Sequence, residues 1–177
     1  MPYSRNPGGG ASSVTPTPLR NLSQHRLEPI LRDLYEFRLL IEPQAAAWMA
    51  ERGRESDLAD LAVIAAEMGV LAEDVKNSPR VMAADQDFHR LIARASSNRV
   101  LATVARNFWE AVSLLWLESK LTAQELQVVA AQHQEIAQAI AARDSARAAE
   151  AMRAHLLAAS VMDVGHFPAD GGARTSE

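Results

Sequence analysis

The chain contains no cysteine, which excludes a disulfide framework and any thiolate-ligated metal site. That fits a reducing cytoplasm. Aromatic residues are only 5% of the 177, and the eight glycines and eight prolines crowd towards the two ends. A basic excess is missing too. The net charge is −4 and the pI about 5.7, whereas a module that grips a phosphate backbone usually carries a basic patch. The longest apolar stretch, 100–117, is interrupted by Arg106, Asn107 and Glu110, so no transmembrane helix is expected. The N-terminus lacks the apolar core of a signal peptide. A soluble, cytoplasmic protein is therefore expected.

What the chain does have is alanine and leucine. Hydrophobic residues make up 48% of it, and with few helix breakers in the middle this composition predicts an all-α protein. The length suits one domain with its own core. Residues 1–24 read as leader or linker, 25–163 as the helical domain, and 164–177 as a loose polar tail. A first helix is predicted over 29–52, stopped by Gly53 and kinked near Leu39 by Pro43. A second is capped by Ser56 with Asp57 and ended by Asn77-Ser78-Pro79. The others cover 79–95, 100–120, 122–143 and 145–162, the last introduced by a turn at Asp144-Ser145. The fourth is the most apolar and is expected at the centre. Short connections make this an antiparallel bundle.

Three of the five histidines fall at helical positions that need explaining. Asp85 and His89 stand four residues apart, so a carboxylate and an imidazole share one helix face and can chelate one cation. His133 and His155 lie on the last two helices, equidistant from the turn at Asp144, and so at the same height of the hairpin. Each residue taken singly is more simply a hydrogen-bonded or surface group. The chelating pair and the symmetric pair together favour a metal. Histidine and carboxylate donors suit Zn, Ni, Mn or Fe as divalent ions. Asp87 and Glu135 face away from this set, and His25 and His166 lie outside the bundle.

Arg38 lies in Glu36-Phe37-Arg38-Leu39-Leu40-Ile41-Glu42-Pro43. Its guanidinium beside a metal would clamp a carboxylate. A surface salt bridge to Glu42, one turn on, explains it equally well, and both readings stay open.

Four ordered features together resemble the FCD domain (the FadR C-terminal domain) of GntR-family transcription regulators. They are Glu36-x-Arg38 with Ile41-Glu42-Pro43, Asp85-x-x-Phe88-His89, Ser97-Asn98, and the His133/His155 pair. The resemblance covers about residues 29–163. It implies an antiparallel bundle of six or seven helices that senses a small organic acid near a divalent metal and is not an enzyme. It further implies Asp85, His89, His133 and His155 as metal ligands, Arg38 as the effector-binding residue, and a homodimer. Operator DNA would be read by a winged-helix domain, of which Arg5-Asn6-Pro7-Gly8-Gly9-Gly10-Ala11 resembles the wing tip and final strand; a complete one is not expected in this chain. The alternative from another class is a metal-dependent hydrolase or lyase, for which no general base stands out near the four ligands.

Overall fold

Alanine-rich apolar stripes let helices approach closely, and the computed structural model shows six α-helices with no strand among the described residues. Those residues are 24–112 and 121–164, with side chains described over 30–109 and 121–162. The helices are α1 (Gln24–Arg52), α2 (Glu55–Leu71), α3 (Ser78–Ala95), α4 (Arg99–Val112), α5 (Ala123–Ala141) and α6 (Ser145–Val164). A single 3-10 turn, Val75–Asn77, leads into α3. The all-α bundle expected from composition is what forms.

Packing closes a ring. α1 lies most extensively against α6, α6 against α5, α5 against α2, α2 against α3, and α3 returns to α1. The main core fills this ring with Ala46, Met49, Leu61, Ile92, Ile136 and Met152. α4 rests mainly on α3. It was expected at the centre, but Val100 is 74% exposed while only its Ala105/Trp109 side is buried. The described part of α4 is therefore an amphipathic cover, and the rest of the predicted helix lies outside the described residues.

Local chemistry sets the boundaries. Gly53 stops α1, its N–H bonding Met49 O at 2.8 Å. α1 begins before the expected Pro29 and runs on through Pro43. Proline deprives the Leu39 carbonyl of its helical donor, yet the helix is not broken there. Ser56 and Asp57 do not cap α2: the N-cap is Arg54, with no side-chain cap bond. Asp57 instead sits in the first turn, where its carboxylate receives Arg54 Nε at 2.8 Å and faces a favourable dipole. The Ser97-Asn98 break has a clear cause. Ser97 takes the left-handed conformation, φ 59°, and Asn98 Oδ1 caps α4 by accepting from the N–H groups of Val100 and Leu101 at 3.1 and 3.0 Å. α5 opens with a full capping box, Thr122 with Glu125. The α5–α6 turn places Arg143 at φ 58°, and Asp144 Oδ1 caps α6 by accepting from Arg147 N–H at 3.0 Å. Arg143 also donates to the carbonyls of Ala50 and Gly53, satisfying the end of α1. His25 falls within α1, although its side chain, like all of His166, lies outside the described residues.

Candidate metal centre

One helical turn of α3 delivers Asp85 and His89 to the same side, and the α5–α6 hairpin brings His133 and His155 face to face. All four are buried, at 4%, 2%, 0% and 2% exposure. One donor atom from each can be chosen so that all lie within 4.8 Å of one another. The four residues singled out by spacing are thus brought together in one cluster. Asp87 and Glu135 are exposed on the outer faces, nearest Arg90 (3.3 Å) and Arg147 (3.8 Å).

Each imidazole is oriented through its Nδ1. His133 Nδ1–H donates to the Val129 carbonyl at 2.8 Å, and His155 Nδ1–H to the Gln132 side-chain oxygen at 3.0 Å. These acceptors fix the proton on Nδ1 and leave Nε2 with its lone pair. At His89, Nε2 accepts from Arg38 Nη2 at 3.2 Å, so Nδ1 carries the proton. Glu42 Oε2 lies 2.6 Å from that Nδ1, off the N–H axis, and no better-aligned acceptor meets it.

The consequence is a concentration of lone pairs. His133 Nε2 stands 3.0 Å from Asp85 Oδ1, and His89 Nε2 3.7 Å from the same oxygen. Asp85 Oδ2 and His133 Nε2 are buried with no aligned hydrogen-bond partner. Two acceptors in contact repel unless a proton or cation lies between them, and buried polar atoms are rarely left unmatched. Three imidazole nitrogens and one carboxylate fit a borderline divalent cation.

The electrostatics agree. Burial pushes the Asp85 carboxyl up, but the neighbouring His89 and His133 rings outweigh it and hold the carboxyl well below the usual range. Burial, then His133 and His89, press His155 well below the ordinary imidazole value, keeping its lone pair available. For His89, burial and the Arg38 charge push the value down, but the Glu42 and Asp85 carboxylates together outweigh them, so this ring is more basic than usual. Glu42 is held down to about 2, because Arg38 and His89 overcome its burial.

Arg38 is 1% exposed, so the surface reading of its salt bridge is overturned by burial. The pair itself is real: Nε donates to Glu42 Oε1 at 2.7 Å. The guanidinium also lies over Trp109, 4.7 Å from the ring centroid, and Trp109 stacks on His89 at 5.2 Å. A cavity of about 30 Å³ adjoins Asp85 and His155, with Tyr35, Arg38, Met82 and Met162 also in its wall. Sequence reasoning missed Glu42, Gln132 and Trp109 as parts of this site. Glu42 carried a signal, its one-turn spacing from Arg38; the contacts of Gln132 and Trp109 are tertiary and carried none.

The pattern of the FCD domain matches residues 33–158, which include every residue of the cluster. The HTH-type transcriptional regulator LutR of Bacillus subtilis (strain 168) is 31% identical over 144 residues, 77% of this chain and 64% of LutR. Among solved structures, the GntR protein of Streptococcus agalactiae superposes with a TM-score of 0.64 at 21% identity, over 80% of this chain and 62% of that one. McbR/YncC of E. coli gives 0.61 at 18% identity, over 80% and 66%. The chain thus spans just under two thirds of the length of each. At these identities the two structures speak for the fold alone.

Proposed function

Because the chain belongs to the FCD-domain family, we propose that it is the effector-sensing part of a GntR-type transcription regulator. In this reading Asp85, His89, His133 and His155 hold a divalent metal, of the Zn, Ni, Mn or Fe kind, and a small organic acid binds beside it. The observation that carries the reading is the buried contact of His133 Nε2 with Asp85 Oδ1 at 3.0 Å, two acceptors that a cation would reconcile. When bound, such an ion supplies a Lewis-acidic attachment point for one oxygen of the acid. Arg38 supplies the second attachment, its planar fork matching a carboxylate.

The adjoining cavity, about 30 Å³, has room for a water or two. A larger effector must displace part of the lining, which includes Met82 and Met162, and methionine is the side chain that repacks most readily. A change of packing on binding is the physical content of sensing, since an effector shifts an equilibrium only by binding its two states differently. The curated relative is by name a regulator and of the helix-turn-helix type. Operator DNA would accordingly be met through a winged-helix domain and in a homodimer, because two-fold operators need two readers at fixed spacing. A hydrolase or lyase is less well supported. The carboxylate beside the ligands, Glu42, is occupied by Arg38 and His89, so it is not free to act as a general base.

The test is metal analysis of the purified full chain with its His133→Ala and His155→Ala variants, followed by a thermal-shift screen of small carboxylates. Near-stoichiometric metal in the parent and its loss in both variants is expected. A true effector should raise the melting temperature only of the metal-loaded parent, which should run as a dimer in light scattering. Unchanged metal content in the variants would sink the ligand assignment.

A further inference from the structure

Glu42 is neither one of the four clustered donors nor the group that would clamp an acid, yet it is buried and touches both. Its Oε1 accepts from Arg38 Nε at 2.7 Å, and its Oε2 lies 3.5 Å from Arg38 Nη2 and 2.6 Å from His89 Nδ1. We propose that Glu42 is a positioning residue that fixes the His89 tautomer and the Arg38 fork together, so that metal ligation and acid recognition share one carboxylate.

His89 links the two roles. Its Nε2 accepts from Arg38 Nη2 at 3.2 Å, which puts the ring proton on Nδ1, the atom beside Glu42. Without an acceptor there, a buried N–H would be stranded, and the ring would gain by turning over or by moving its proton to Nε2. Either change removes the Nε2 lone pair, which meets Arg38 Nη2 here and which a metal would take over. The other two rings are held by neutral oxygens, those of Val129 and Gln132. His89 is the one whose Nδ1 lies against a carboxylate, 2.6 Å from Glu42 Oε2, and a charged group behind an imidazole strengthens it as a donor to a metal. On the opposite edge, the same carboxylate sets the plane of the guanidinium. Glu42 sits in α1 and the four ligand residues in α3, α5 and α6, so one side chain ties α1 to the cluster.

The inference rests on the metal reading above, and the experiment separates the two. The full chain, stripped by chelator, is titrated with zinc alone as parent and as Glu42→Gln. The ring nitrogens of the histidines are followed by ¹⁵N–¹H correlation in the metal-free protein. Expected are a zinc affinity lower by about 10–100-fold in the variant and a displaced nitrogen pattern for His89, with His133 and His155 unmoved. Unchanged zinc affinity overturns the proposal. So does a fall in affinity with the His89 ring unmoved, which would mark a general structural role. If the parent takes no zinc, the metal reading fails, but the His89 tautomer still decides the role of Glu42. An Nδ1–H ring in the parent that is lost in the variant sustains it, and the same ring in both overturns it. Should Glu42→Gln not fold, Glu42→Asp keeps the charge but cannot span both partners, and the same readouts apply.

Discussion

Arg38 shows how burial changes what a residue must do. On an exposed helix face, a pair one turn apart contributes a few tenths of a kcal/mol and tolerates lysine. Here the guanidinium is fully buried, spans Glu42 and His89, and lies against Trp109. Lysine keeps the charge but offers no planar fork. Arg38→Lys should therefore lower unfolding free energy by about 1–3 kcal/mol, the cost of an under-bonded buried acceptor. It should also weaken acid binding to the metal-loaded chain, as read by calorimetry beside a denaturant melt. Unaltered stability and acid affinity would return Arg38 to a minor role. The four clustered donors were legible because helical periodicity and hairpin symmetry are local rules. Glu42 was legible only as an i+4 neighbour, because what it does is settled by His89 on another helix.

Single elements were legible where a side chain closes its own helix end. The capping box of α5, the Asp144 cap of α6 and the Gly53 stop all follow from residues within a few positions of each other. Ser56-Asp57 misled because Asp57 finds partners in Arg54 and, at 3.5 Å, in Arg94 of α3, the second of which no local pattern announces. α4 misled because apolar content is not position. Val100 and Val104 face outward while Ala105 and Trp109 do the packing. Thr122 caps the helix that carries His133, its acceptor Val129 and the neighbouring Gln132. Thr122→Ala should cost about 1 kcal/mol by loss of the cap, measured as a shift in denaturant midpoint, with Thr122→Ser near neutral. Metal affinity should stay as it is, since the cap lies just over three turns from His133. A drop in metal affinity without a stability loss would contradict this division of labour.

At the scale of the molecule, the cluster is where the ring of helices closes. The sequence showed helices and their faces, but the contact of α1 with α6, the most extensive among the described residues, joins residues too far apart for any periodicity to announce. Through it the site draws Arg38 and Glu42 from α1, Asp85 and His89 from α3, His133 from α5, His155 from α6, with Trp109 of α4 as a lid. A cation held there would bind the folded arrangement and not the scattered ligands of the unfolded chain, so its binding free energy adds to stability. At a free concentration a hundred times its dissociation constant the gain is about 2.7 kcal/mol, or roughly 5–10 °C in melting temperature for a domain of this size. Chelation should remove that increment and zinc should restore it. It should do so in a chain whose helix content is preserved, because the main core of Met49, Leu61, Ile92 and Ile136 closes the ring without the ion. A melt unmoved by chelator in a protein shown to contain metal would place that metal elsewhere than among these helices. A chain that unfolds outright on chelation would mean that the lone pairs of Asp85 and His133, left facing each other, outweigh the core.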